Sequence, residues 1–231
     1  MKKLLSKGDT NAKTAKNLRD TLILYLSPFT QNSKGINLCP KASAGCADKC
    51  LFTAGMGVFP NVIEARKNRT EFFLSNRREF LAQIAREINN KAKRQKAFQP
   101  LAVRLNGTSD VKLVEMITSA HDIHPNVVFY DYTKIPSKAG RRTLPSGHDY
   151  VVTFSRSEVN EADALKHLSE GNLVAVVFSG DKLPETWNGY PVYDGDERDD
   201  LMLDIQGAGV LGLKAKGKAR KDDSGFVVKV N

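Results

Sequence analysis

From Thr21 to Leu26 the chain reads TLILYL, a continuous apolar run closed by Ser27-Pro28, with the length and composition of a short buried strand. Residues 1–20 before it are polar and lysine-rich and read as an N-terminal extension. A helical pattern begins at Asn61. In its second half Phe80, Leu81, Ile84, Ala85 and Ile88 recur at helical spacing, with Arg and Glu on the other face, so this helix packs on something. After Pro100 the rhythm changes to short apolar runs at Leu101–Leu105, Val127–Tyr132, Tyr150–Phe154, Leu173–Phe178, Pro191–Tyr193 and Val210–Leu213. Helical stretches, Val111–Ala120 and Glu158–Leu168, separate some of them, and Ser109-Asp110 and Ser157 stand where caps are expected. Strands alternating with helices predict an α/β chain with a parallel sheet and right-handed crossovers.

With TLILYL the pattern gives about seven strands, one short of an eight-stranded barrel. A partial parallel (βα) barrel is the first expectation, and an open parallel sheet of the doubly wound kind is the alternative. No repeat and no linker divides the chain, which predicts a single α/β domain over 1–231, ending in a basic C-terminal tail, 214–231.

In barrels and open parallel sheets alike, chemistry collects at the carboxyl ends of the strands. Those ends carry Arg104, Asn106, Ser109 and Asp110 in RLNGTSD, then Asp131, Tyr132, Thr133 and Lys134 in YDYTK. The later ones carry Ser155 and Arg156, Ser179 and Asp181, Asp194 and Asp196, and Lys214 and Lys216. Serine, glycine and aspartate are common helix caps and turn residues, so each alone is weak. Arginine, asparagine, lysine and tyrosine are not favoured caps, and their recurrence at one edge predicts a pocket lined by Arg104, Asn106, Asp110, Asp131, Lys134, Arg156, Asp181 and Lys214. Tyr132, Asp131 and Lys134 are the candidates for catalysis, with Tyr132 or a carboxylate handling protons.

Composition changes the picture in two places. Hydrophobic residues are 41% and charged residues 26% of the 231, which excludes fibrous, low-complexity and disulfide-scaffold classes. Lysine and arginine number 35 against 26 acids, a formal +9 that favours an anionic substrate or nucleic acid as partner. Arg66, Arg69, Arg77 and Arg78 add a basic stripe after the first loop, read either as a solvated helix face or as a contact for phosphates. No run is long enough to cross a membrane and no secretion signal is evident, so a cytoplasmic protein without a membrane partner is expected, with its oligomeric state open. No phosphate-binding loop, dinucleotide fingerprint or serine elbow stands out, so neither ATP nor NAD is expected.

The second change comes from cysteine. All three fall in NLCPKASAGCADKC as Cys39, Cys46 and Cys50, six and three residues apart. An odd, tight set in a cytoplasmic chain points to shared ligation of a metal rather than to disulfides. Three soft thiolates suit zinc, copper(I) or an iron–sulfur cluster. No histidine lies near to close a structural zinc site; His121 and His124, in HDIHP, are read as a helix end rather than as ligands. With a 4Fe–4S cluster, three thiolates leave one iron open for substrate or a chelating cofactor. Three ordinary reduced cysteines remain the bland alternative.

A three-cysteine loop after the first strand of a βα barrel resembles the radical S-adenosylmethionine enzymes, in which such a loop holds a 4Fe–4S cluster whose free iron chelates S-adenosylmethionine. The spacing there is C-x3-C-x2-C, tighter than in this chain. Over most of its length the chain is more similar to a bacteriophage-encoded protein family with the same loop, an R-x-N-x-x-SD element, a YDYTK-like strand end, and a GD-x-x-D then GL-x-AKGKA tail. That resemblance implies a phage iron–sulfur protein with a radical-enzyme-like TIM-type barrel in the cytoplasm of an infected host cell, without supplying a reaction, while S-adenosylmethionine as a cofactor is what the resemblance to the radical enzymes implies. The competing expectation is a nucleic-acid-binding phage protein whose metal loop is structural, with zinc in it.

Overall fold

A computed structural model describes residues 3–10, 13–50, 55–96 and 98–230. Its strands are β1 (Ser6–Lys7), β2 (Thr21–Ile23), β3 (Leu101–Arg104), β4 (Val127–Thr133), β5 (Gly140–Thr143), β6 (Asp149–Ser155), β7 (Leu173–Phe178), β8 (Thr186–Trp187), β9 (Tyr190–Asp194) and β10 (Gly209–Lys214). The helices are α1 (Ala44–Asp48), α2 (Pro60–Ser75), α3 (Arg77–Ala92), α4 (Leu113–Ala120) and α5 (Glu161–Ser169). The strands follow the order β1-β2-β3-β4-β6-β7-β10-β9-β8, with β5 paired to β6. From β2 to β10 this path is parallel, and β9 is parallel to β10; β1, β5 and β8 are antiparallel additions.

The sheet is open, with β1 at one end and β8 at the other. A closed barrel is therefore not formed, and the open parallel sheet is the form observed. It is not doubly wound. From β2 through β7 each new strand is added on the same side of the last, with no reversal, so right-handed crossovers put α2, α3, α4 and α5 on one face. Core packing agrees. Phe80, Ile84, Ile88, Leu113 and Ile117 of α3 and α4 meet Leu101, Val103, Phe129, Tyr150 and Val152. Ala164 and Leu168 of α5 meet Phe154, Val174 and Val176. The residues of opposite parity, Ala102, Tyr130, Val151, Ala175 and Leu211, face away and are covered by Met202 and its neighbours. We call these the helix face and the far face. The register keeps them in line across the sheet: Val103 pairs with Phe129, Phe129 with Tyr150, and Phe154 with Val174.

Several local expectations change. The long helical pattern is two helices, broken at Asn76, whose side chain accepts from the Glu79 amide at 3.4 Å and starts α3. Neither Asp110 nor Ser157 caps a helix: Lys112 and Asn160 hold the starting positions of α4 and α5. Residues of the N-terminal extension pack on the domain, because Leu4 and Leu5 are buried and their amides donate to Glu87 at 2.9 Å each. The basic tail is folded too. Phe226 and Val227 are buried, Val228 bridges to Phe178, and Lys214 belongs to β10. No helix among the described residues is long and apolar enough to cross a membrane.

Candidate functional site

The cysteine loop leaves β2 and lies over the carboxyl edge of the sheet. The Cys39 thiol reaches the Thr108 carbonyl at 3.7 Å, in the loop after β3. Cys46 rides on α1, whose starting residue Ser43 accepts from the Cys46 amide at 3.2 Å. Glu158, in the loop after β6, holds that helix from outside, accepting from Ser43 Oγ at 2.8 Å and from the Gly45 amide at 2.7 Å. The fit at Gly45 is close, since a Cβ there would stand 2.6 Å from Ser224 Oγ and 2.9 Å from the Glu158 carboxyl, so both side chains would have to shift. The loop thus spans the edge from β3 to β6. Burial pushes the Cys39 thiol up to about 11, and Cys50 and Cys46 both add to the rise. They do not stand at ligand spacing: among the described residues no three of His, Cys, Asp and Glu are arranged to hold a metal ion. Residues 51–54, which follow Cys50 directly, lie outside the described residues.

Strand alternation divides the other candidates between the two faces. On the helix side, Asp131 accepts from the Asn106 amide at 2.8 Å, Asn106 Nδ2 at 3.0 Å and Tyr150 Oη at 3.0 Å. Burial raises its pKa to about 6, with Arg104 and the Asn106 hydrogen bonds opposing the rise. Asn106 Oδ1 accepts from Ser109 Oγ and the Val111 amide. Asp110 accepts twice from Thr133 Oγ1, from the Lys134 amide at 2.9 Å, and from Lys138 Nζ at 2.7 Å. These groups are buried and mutually satisfied. Asp131, Asn106 and Asp110 hold the strand ends together through these bonds.

On the far face the arrangement differs. Arg104 Nη1 donates to both oxygens of Asp199, at 3.1 and 3.0 Å, and its guanidinium lies 4.7 Å from the centre of the Tyr132 ring. Lys13 Nζ stands 3.1 Å from Asp199 and Tyr130 Oη donates to the same carboxylate at 2.9 Å. Burial opposes charge at Asp199, but Arg104 and Lys13 outweigh it and hold its carboxyl far below the usual range. Burial also opposes charge at Arg104, and Asp199 more than compensates. Arg104 Nε is buried with no hydrogen-bond partner, and the Tyr132 hydroxyl has none among the described residues. Lys134 reaches Ser155 Oγ at 2.7 Å on this side, with the Phe226 ring 5.6 Å from its Nζ.

The remaining candidates do not join this cluster. Arg156 clamps the tail, donating to the Phe226 carbonyl at 3.1 Å and to Glu161 at 2.6 Å. Lys214 pairs with Asp194 at 3.3 Å. Asp181 is exposed in the turn after β7 with no hydrogen bond among the described residues. The sequence reading missed Asp199, Lys13 and Glu158. Asp199 falls within the GD-x-x-D element and so was visible as a motif, but its partner across the fold, Arg104, was not. Lys13 gave no signal in a lysine-rich segment.

Neither the curated proteins nor the solved structures give a match. One family does, over residues 3–230, and its description is "Gene product 88". That description accords with the phage-type family anticipated above and names neither a cluster nor a cofactor. With the match running through the cysteine loop, both faces of the sheet and the folded tail, the chain belongs to the Gene product 88 family.

Proposed function

We propose that Cys39, Cys46 and Cys50 together bind a thiolate-ligated 4Fe–4S cluster with one iron open, and that the chain is a radical S-adenosylmethionine-like enzyme acting on a small anionic substrate. The observation that carries this reading is the placement of the loop. One thiol is anchored at the end of β3 and another on a helix fastened to the end of β6, above a far face that presents Arg104, Tyr132 and Lys134. The donor set suits soft-metal chemistry, because the loop carries three thiols, and those of Cys50 and Cys46 act on Cys39. Their present spacing requires the loop to close on the metal as it binds, with loss of the Cys39 proton.

When bound, the cluster supplies one-electron chemistry at its open iron, where S-adenosylmethionine would chelate. The chain's own groups then have distinct tasks. Arg104 and Lys134 hold the anionic part of the substrate. The Tyr132 hydroxyl, which has no hydrogen-bond partner among the described residues, is the group placed to give or take a proton. Met202 and the aromatic residues of the far face limit access of water from below.

The zinc-and-nucleic-acid alternative draws on the formal +9. Its tail cations are already engaged, since Lys216 pairs with Asp196 at 2.7 Å and Lys218 lies 3.9 Å from Asp48. The two readings separate by reconstituting the anaerobic chain with iron and sulfide and recording the electron paramagnetic resonance of the reduced protein. A cluster signal that changes on adding S-adenosylmethionine is the expected result. No signal, together with steeply salt-dependent binding to DNA or RNA, would replace this reading with the alternative.

A further inference from the structure

At the edge of the sheet opposite the cysteine loop, α3 runs out and β3 begins, and the chain between them reads KAKRQKAFQP over 91–100. Lys91, in the last turn of the helix, is paired with Asp20. Lys93, Arg94 and Lys96 follow. All three are exposed, and among the described residues their side chains make no ion pair and no hydrogen bond. Phe98 is 98% exposed. The helix dipole favours a cation in the last turn, as Lys91 is, and falls off beyond it. A phenylalanine this exposed gains nothing from folding, and no other large apolar residue stands in the segment to make a patch with it.

This turn is fastened to the rim of a groove. Asn126 Nδ2 donates to the Lys96 carbonyl at 3.2 Å and to the Gln99 carbonyl at 3.3 Å, and the Asn126 carbonyl accepts from the Leu101 amide at 3.0 Å. Pro100 and Pro125, the neighbours of these residues, line a groove of about 730 Å³ at the amino ends of β4 and β6, a volume in the range of ligand sites. Its charged groups are Arg19, Arg141, Arg142 and Asp149, with His148 beside them. Arg19 is answered by Asp204 and Arg142 by Glu115, and Asp149 accepts from Thr143 Oγ1 at 3.0 Å. Arg141 has no ion pair among the described residues. Its Nη2 donates to the Met202 carbonyl at 2.6 Å and to the Ile205 carbonyl, which pins the guanidinium at the groove and leaves Nε and Nη1 for another partner.

We infer that this edge binds single-stranded nucleic acid. Lys93, Arg94 and Lys96 meet phosphates, Phe98 stacks on an unpaired base, and the groove takes the strand onward with a further phosphate at Arg141. The combination selects the occupant. A polyanion answers several unpaired cations at once, and only bases freed from a duplex offer a face to a bare ring. The groove beside them suits a strand, whereas a lipid surface laid across this edge would leave it empty. The length of β4, about 20 Å, separates this edge from the thiols. The inference goes beyond the proposed function and does not rest on it.

The test is fluorescence anisotropy of labelled oligo-dT and oligo-U of about 12 nucleotides, and of a duplex of the same length, titrated with the whole chain over a range of salt. Wild type binds the single strands saturably and the duplex more weakly. Its log affinity falls against log salt with a slope of about −3, as four phosphate contacts on a single strand require. Lys93→Ala, Arg94→Ala and Lys96→Ala together make that slope shallower by about 2. Phe98→Ala keeps the Tm and the slope and weakens binding about fivefold to a hundredfold. Absence of saturable binding, equal affinity for the duplex, or a Phe98→Ala variant that binds like wild type overturns the site, and so does binding confined to anionic lipid vesicles. Cys46→Ala binds the oligonucleotides as wild type does. A chain that takes up no metal but binds through Phe98 therefore fails the thiol reading alone, and one that holds iron and ignores oligonucleotides fails this inference alone.

Discussion

Two polar clusters occupy the same edge of the sheet, a strand's thickness apart, and they are built on opposite terms. On the helix face, Asp131, Asn106, Asp110, Thr133 and Lys138 satisfy one another almost completely. On the far face, Arg104 keeps an orphaned Nε, and the Tyr132 hydroxyl has no hydrogen-bond partner among the described residues. The first cluster joins loops that would otherwise expose strand ends. The second leaves donors over for something else. Polarity at a strand end is common to both, so it is hydrogen-bond satisfaction that separates scaffold from candidate site.

Substitutions on the two faces should accordingly differ in kind. The largest loss is expected for Asp110→Ala, which strands the buried Lys138 ammonium and frees Thr133 and the Lys134 amide: about 3–5 kcal/mol in urea unfolding. A loss below about 1 kcal/mol would remove the scaffold role of this cluster. Asp131→Asn costs less, about 2 kcal/mol near neutral pH, because three donors converge on a side chain that then turns its own donor toward them. It also carries a pH signature. The folded pKa of Asp131 is raised to about 6 from 3.8, so the folded form binds the proton more tightly than the unfolded chain. The resulting stability is fully present below the unfolded value and is lost as pH rises through about 6. The stability difference between wild type and Asp131→Asn should grow as pH falls from 6 to 4, by up to about 3 kcal/mol. A difference that stays flat would show that Asp131 is not held in this way.

Glu158→Ala removes two bonds that fasten α1, at about 1–2 kcal/mol, and should speed the reaction of Cys46 with a thiol reagent. An unchanged rate would mean that the loop is held by other contacts. The smallest effect belongs to the far face: Tyr132→Phe should move stability by less than about 0.5 kcal/mol, since its hydroxyl has no hydrogen-bond partner among the described residues and its ring remains under Arg104. A loss comparable to that of Asp131→Asn would place Tyr132 among the scaffold residues instead.

The parallel strands were legible because each is a short apolar run between turn signals. Three strands were not. β1 and β8 have two residues each, and β5, GRRT, has no apolar alternation at all; it is held by pairing with Tyr150 and its neighbours. The site was legible in part for the same reason. Arg104, Tyr132 and Lys134 could be placed at strand ends, but Asp131 was grouped with Tyr132 although neighbours in a strand point to opposite faces. Asp199 arrives from an acidic segment 95 residues after Arg104, a pairing that only the folded chain reveals. The basic C-terminal tail was legible as a charge run, and it folds because Phe226 and Val227 bury themselves against Ala215 and Ala219.

The most direct test of the proposed thiol centre is the iron, sulfide and zinc content of anaerobically purified chain beside that of Cys46→Ala. About four irons and four sulfides per chain, lost in the variant, are predicted. One zinc per chain, or no metal in either protein, would contradict it.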